Sequence, residues 1–226
     1  MSRPLVSVVL PVFDGERFLA EAIESALAQT WPAVEVVVVD DGSADRSAEI
    51  AASYPVRLLR QDNSGVAAAR NRGVEAAAGA LLAFLDQDDL WLPEKLERQA
   101  ERLLEAAADL CVCEMEVFAE PGFDRERMNE AWAGGSHLAT QLGTVLVRRG
   151  AFERIGPFDT SYRTISDTDW FLRARDLGVE IVHVRECLQR YRLHGGNDSA
   201  SAGGMRRETA RALAASIARK REAPDA

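Results

Sequence analysis

The sequence predicts an α/β fold, with a Rossmann-like, mixed but mainly parallel sheet flanked by helices in a single domain. Three observations carry that expectation. Short β-rich runs alternate with helical patterns through roughly the first 90 residues, the signature of strand–helix–strand units in one sheet. Each run is followed at once by polar residues, at Asp14, Asp40-Asp41, Asn63 and Asp86 to Asp88. Strand ends that converge in this way form the ligand crevice of an open parallel sheet. The fourth run, Leu81 to Leu85 after Gly79, is apolar throughout, as a strand buried on both faces is.

Taken in order, Leu5 to Leu10 is a first strand ended by Pro11. Apolar pairs at Phe18/Leu19, Ala22/Ile23 and Ala26/Leu27 recur every four residues, so a helix follows with one stripe on the sheet. Val34 to Val39 is a second strand, Asp45 to Tyr54 a short helix, and Val56 to Leu59 a third strand. Asn63-Ser64-Gly65 opens an alanine-rich helix, Val66 to Ala78, ahead of the fourth strand.

The remainder is less regular. Pro93 to Ala107 reads as a helix with proline at its first position, with Asp89 as a candidate cap ahead of it. Leu110 to Val117 is a strand, Pro121 to Ser136 a loop, Gln141 to Val147 another strand and Ala151 to Ile155 a helical turn. Asp167 to Leu177 is a helix closed by Gly178. Ile181 to Val184 is a strand, followed by Leu188 to Arg192 and then His194-Gly195-Gly196-Asn197. Met205 to Glu222 is helical, with Ala210, Leu213, Ala214 and Ile217 on one face and a surplus of arginine and lysine. Its plainer reading is a helix packed by that small stripe, since Trp and Phe, which favour a membrane surface, are missing from it.

Composition narrows the function. The chain is 47% hydrophobic and 28% charged, the balance of an ordinary globular protein. A net charge of -9 argues against nucleic acid as the main partner. The three cysteines are too few for a disulfide framework, and Cys111 and Cys113 alternate on one face of a strand as buried thiols do. No run reaches the roughly 18 apolar residues of a membrane span. The start of the chain carries no secretory pattern, so a cytoplasmic setting is the expectation.

The cluster Asp86-Gln87-Asp88-Asp89 admits two readings, a solvated acidic turn or a site whose repulsion is relieved by a divalent cation. The other strand ends favour the cation. Neither a G-x-G-x-x-G nor a P-loop pattern follows the first strand, so bound phosphates have to be held by a cation and basic side chains. Trp91 and Trp170 read as core or wall residues, His183 as a packed strand side chain, and Asp40 as a turn stabiliser.

Ordered segments from about Val6 to Ser199 go further. They are Val8 to Glu16, Val39 to Asp45, Asn63-Ser64-Gly65 with Ala69-Arg70-Asn71, Phe84 to Trp91, Gly156 to Asp159, Asp167 to Trp170, and Tyr191 to His194. Together they resemble the family 2 glycosyltransferases with a GT-A fold. The resemblance implies inverting transfer of a sugar from a nucleoside-diphosphate donor, most often a UDP-sugar, with Mn²⁺ or Mg²⁺ as cofactor. It places Pro11, Phe13 and Glu16 around base and ribose, Asp41 at the uracil edge, and Gly65 and Arg70 beside base and phosphates. Asp86-Gln87-Asp88 matches the D-x-D motif, with Asp86 and Gln87 toward the nucleotide-sugar and Asp88 as chief metal ligand. His194 matches a position that closes over the diphosphate or metal. Residues 1–92 then form a nucleotide-binding half, 93–204 an acceptor-binding half, and 205–226 a C-terminal helix and tail.

Such a reaction needs one carboxylate base. A hydrolase also has to protonate a poor leaving group, whereas a nucleoside diphosphate departs readily. The resemblance puts the base at Asp167, at a helix N-terminus that favours its ionised form. Many relatives carry Glu-Asp where this chain has Ser166-Asp167. Asp169 is the rival. The expected partners are a nucleotide-sugar donor and a glycan, lipid-linked or protein acceptor, with no nucleic acid and no transmembrane segment. A homodimer and a peripheral contact of the basic C-terminal helix with the inner face of a membrane stay open. The competing activities are a sugar-phosphate nucleotidyltransferase and a catalytically silent nucleotide-sugar-binding module.

Overall fold

The structure is a computed structural model that describes residues 3–123, 141–196 and 202–222. Its first half supplies four parallel strands, β1 (Val6–Val12), β2 (Val34–Asp40), β3 (Arg57–Arg60) and β4 (Leu81–Phe84). β1 lies between β2 and β4, and β3 flanks β2. The helices α1 (Leu19–Leu27), α2 (Ser47–Ala52) and α3 (Val66–Ala76) make the crossovers. All of β1 is buried because both faces of the sheet are covered. Val8 and Leu10 pack on Leu19 and Ile23 of α1, while Val9 turns into the opposite layer with Leu82 and Phe84. Burying each such aliphatic side chain contributes about 1.5–3 kcal/mol.

The second half adds β5 (Leu90–Trp91), α4 (Lys95–Glu105), β6 (Leu110–Ala119), β7 (Val145–Arg148), α5 (Arg149–Ile155), α6 (Ser166–Asp176), β8 (Ile181–Leu193) and α7 (Ala202–Glu222). The sheet runs β3-β2-β1-β4-β7-β6-β8-β5. β7 is antiparallel to both β4 and β6, β6 and β8 are parallel, and β5 is antiparallel to β8. The mixed, mainly parallel sheet flanked by helices is as the sequence predicts. Among the described residues no helix is long and apolar enough to cross a membrane.

Several expectations change. The strand expected over Gln141 to Val147 begins as a 3-10 turn at Leu142–Thr144, and only Val145–Arg148 pair in the sheet. The two short runs after Ile181 are one long strand, whose register shifts around Glu114 let Arg185 and Glu186 pass without breaking the pairing with β6. α4 starts at Lys95 rather than Pro93. His183 is exposed rather than packed. Most of the expected loop at Pro121 to Ser136 lies outside the described residues.

Candidate active site

The loops after β1 and β2 are knitted to each other. Asp14, held at φ 46°, accepts from the Ala44 amide (2.8 Å), and the Gly15 and Glu16 amides donate to Ser47 Oγ and Asp45 Oδ2. Glu16 in turn accepts from the Arg46 amide at 3.2 Å. Pro11 lies buried within β1, whereas the Phe13 ring is 46% exposed at the mouth and offers a face for stacking. Asp40 accepts from the Ser43 amide and Arg60, the turn-holding task expected of it.

Asp41 anchors the loop ahead of α3. It accepts from Gln61 Nε2 (2.7 Å) and from the amides of Ser64 and Gly65 (both 2.8 Å). That occupies three of about four acceptor positions on the carboxylate, leaving one for a ligand donor. Gly65, at φ 90°, takes a backbone conformation that costs other residues strain, and an added Cβ there would meet nothing within 4 Å.

At the end of β4 the clustered acids and Gln87 separate into distinct tasks. Asp86 pairs with buried Arg70 at 2.6 Å. Gln87 exchanges two hydrogen bonds with the Phe13 backbone, accepting from its amide (2.8 Å) and donating to its carbonyl (3.2 Å). It therefore acts as a strut between the two strand ends. Asp88 meets His194 Nε2 at 2.9 Å. The Gly196 amide donates to Nδ1, so the proton of a neutral ring lies on the side facing Asp88. Burial and the neighbouring Asp86 raise the Asp88 pKa, and the His194 contact opposes them.

Asp89 is no helix cap. It is buried and accepts from Gln189 Nε2 (2.8 Å) and the Arg192 amide (3.0 Å), fastening the acidic turn to β8. Burial, with Asp88 and Asp86 nearby, pushes its pKa well above the usual carboxylate range.

Sequence reasoning gave Arg192 no role, and the structure gives it a central one. Its side chain is buried over the rings of Phe18 and Phe118. It donates to the Asp88 carbonyl (2.8 Å), Glu120 (2.6 Å) and Glu21 (2.8 Å). The backbone that presents Asp88 is thus held by an arginine from the far end of the chain. An arginine between apolar Tyr191 and Leu193 at a strand end was the available signal, since such a cation needs buried acceptors.

Asp167 comes from the other half, in the first turn of α6. It is half-buried, and its Oδ1 accepts from the Thr168 amide at 2.7 Å. Burial raises its pKa, opposed by the charge of Arg70 and reinforced by that of Asp86. Arg70 therefore links Asp86 and Asp167 electrostatically across the crevice. Asp169 faces elsewhere, buried against Arg173 at 2.8 Å. Arg173 also donates to the carbonyls of Ile155 and Pro157, and Asn71 of α3 exchanges 2.8 Å hydrogen bonds with the Phe158 backbone. The Gly156 to Asp159 segment is thereby the seam between α3 and α6. Trp170 is fully buried there, and Trp91 is buried with its indole donating to Gly143, as core residues do.

Asp88 and His194 could hold a borderline divalent cation such as Mn²⁺ only with the rest of its shell supplied from outside the protein. One carboxylate and one imidazole adjoin, and among the described residues no three His, Cys, Asp or Glu group together. Cys111 and Cys113 are buried and far from such chemistry. Burial pushes the Cys111 thiol up to about 12, and the charge of fully buried Lys95 pulls against it.

The mixed, mainly parallel sheet with this strand order, flanked by helices, is an α/β fold of GT-A type. The chain belongs to glycosyl transferase family 2, whose family profile matches residues 7–171. An uncharacterized glycosyltransferase of Rickettsia typhi is 32% identical over 215 residues, covering 88% of this chain and 67% of that protein. The structure of S. aureus TarS 1-349 in complex with UDP superposes with a TM-score of 0.75 at 22% identity, over 94% of this chain and 65% of that one. The mannosyltransferase PcManGT of Pyrobaculum calidifontis, in complex with GDP-Man and Mn2+, gives 0.70 at 21% identity, over 100% of this chain and 66% of that one. The chain thus spans about two-thirds of the length of these proteins.

Proposed function

We propose that the chain transfers a hexosyl or N-acetylhexosaminyl group from a nucleoside-diphosphate donor, most simply a UDP-sugar, to an acceptor hydroxyl on a glycan, lipid-linked or protein acceptor, with inversion. The observation that carries this reading is the Arg70–Asp86 ion pair of the first half, with Asp167 of the second half near enough to feel the Arg70 charge. Residues 1–92 bind the nucleotide in this reading, and 93–204 supply the base and the acceptor wall.

Phe13 stacks on the base, the open acceptor position of Asp41 takes a base N–H, and Asp86 receives the ribose hydroxyls. Arg70 lies beside the phosphates. Asp88 and His194 would hold a Mn²⁺ or Mg²⁺ ion, which when bound neutralises charge on the departing diphosphate. Asp167 takes the proton from the acceptor hydroxyl as that oxygen attacks the anomeric carbon. Its raised pKa brings it closer to the operating pH and makes it a stronger base than an ordinary carboxylate.

The test is incubation with a panel of nucleotide-sugars, Mn²⁺ or Mg²⁺ and candidate acceptors, with detection of the released nucleotide. Release of nucleoside diphosphate, abolished by chelation, is the expected result. Pyrophosphate release would identify a nucleotidyltransferase instead, and nucleotide binding without turnover across the panel would identify a binding module.

A further inference from the structure

α6, which carries Asp167, is fastened just ahead of its first turn by a carboxylate of α7. Its N-cap residue is Ile165, which has no side-chain acceptor, and no side-chain cap bond forms there. The first turns of a helix leave backbone donors that need acceptors. The Thr168 amide is taken by Asp167 itself, while the segment that leads into the helix is held from α7. Glu208 Oε1 accepts from the Arg163 amide (3.0 Å), and Oε2 accepts from the Thr164 amide (3.0 Å) and the Thr164 hydroxyl (2.8 Å).

The contact is a built one. Tyr162 and Ile165 are buried with Ala212 of α7 between the two helices. The Arg211 guanidinium lies 3.8 Å from the Tyr162 ring centroid and donates to Ser161 Oγ at 2.9 Å. Burial works against the charge of Glu208, yet the amides of Arg163 and Thr164 and the Thr164 hydroxyl overcome it and leave its pKa below the usual range. Glu208 thus presents a full negative charge to the positive end of the α6 dipole.

The far end of α6 is tied separately. Asp176 accepts from Ser216 Oγ and Arg219 Nε, both at 3.0 Å, and Arg175 donates to Ser216 at 2.9 Å. α7 therefore grips α6 at both ends, but only the Glu208 end adjoins the carboxylate that the reaction uses.

We propose that Glu208 is a positioning residue for Asp167: by holding the Arg163 and Thr164 backbone it fixes where α6 begins and so where its first turn places the base. The proposal rests on the assignment of Asp167 as base. It gives α7 a task in catalysis that the basic, small-residue character of the helix does not reveal.

The experiment compares Glu208→Ala, Glu208→Gln and Ser216→Ala in the full chain, by steady-state transfer kinetics, UDP binding and backbone hydrogen exchange. Glu208→Ala is expected to lower kcat about 10- to 100-fold, since a displacement of the base by an ångström or so costs that much. UDP affinity and donor KM stay at wild-type values, and amides 163–169 exchange roughly tenfold faster. Glu208→Gln, which keeps one acceptor oxygen, falls between wild type and Glu208→Ala. Ser216→Ala loosens the opposite end of the same contact and lowers stability while leaving kcat within about twofold. Unchanged exchange at 163–169 in Glu208→Ala overturns the tether. Equal loss of kcat in Ser216→Ala and Glu208→Ala overturns positioning and leaves a structural brace. Wild-type protein that releases no nucleotide overturns the base assignment itself, and the exchange comparison distinguishes that failure from failure of the tether.

Discussion

The loops after β1 and β2 and the acidic turn after β4 are held in opposite ways. The two loops are fixed by groups close in sequence, as Asp14 is to Ala44 and Asp41 to Gly65. At the acidic turn the fixing groups come from far along the chain. Asp89 reaches Gln189, Asp88 reaches His194, and Arg192 reaches back to Glu21, a separation of 171 residues. The early loops are thus built on successive strand–helix units, and the acidic turn on a frame that only the closed fold brings together.

The largest effect that sharpens this contrast is at Asp88. Asp88→Ala is expected to reduce nucleotide release at least 100-fold, and chelation of divalent cations to do the same to the wild-type protein. Calorimetry with UDP in each case reads how much of donor binding passes through that group.

Asp89 tests the frame itself. Asp89→Ala leaves Gln189 Nε2 and the Arg192 amide buried without that acceptor, at a cost of about 2–4 kcal/mol in urea unfolding. A loss below about 0.5 kcal/mol would show that the turn needs no anchor on β8.

A smaller effect concerns Lys95, buried on α4 with Gln99 as hydrogen-bond partner (2.8 Å) and Trp91 beneath it. Burial lowers its pKa to about 8, opposed by the Cys113 and Cys111 pair. Between about pH 8 and 9 the unfolded chain holds a Lys95 proton that the folded chain has lost, so stability rises with pH. Above about pH 9 the Cys111 thiol, pushed up to about 12, loses its proton only in the unfolded chain and draws stability down again. The rise should be on the order of 1 kcal/mol in denaturant titrations, and Lys95→Met should flatten it.

What was readable in the sequence follows the same divide. The four strands of the first half, their buried alternation and the polar residues after each were legible because periodicity and strand-end chemistry are local signals. Asp41, Asp86 and Asp88 stood out on that basis. Asp89 did not, because a carboxylate ahead of a proline looks like a cap until Gln189 and Arg192 are brought beside it. The two-part reading of β8 failed for a related reason: Arg185 and Glu186 interrupt the apolar run, and the bulge that tolerates them is a property of the pairing with β6. Glu208 sits among arginines on a helix whose pattern reads as solvated, and its partners are backbone amides that carry no sequence signature.

The account turns on Asp167 as the base that completes the donor site, and the direct measurement is transfer by Asp167→Asn beside Asp169→Asn, with UDP affinity and the pH dependence of kcat determined for each. Asp167→Asn should bind UDP as the wild type does and lose about 100- to 10,000-fold in kcat. Wild-type kcat should fall on the acid side with a midpoint above the ordinary carboxyl value of 3.8, because the folded state raises the Asp167 pKa and the reaction needs its ionised form. Asp169→Asn should keep that acid limb and lose mainly stability, through its partner Arg173. Wild-type turnover in Asp167→Asn, or an acid limb abolished only by Asp169→Asn, would contradict the assignment.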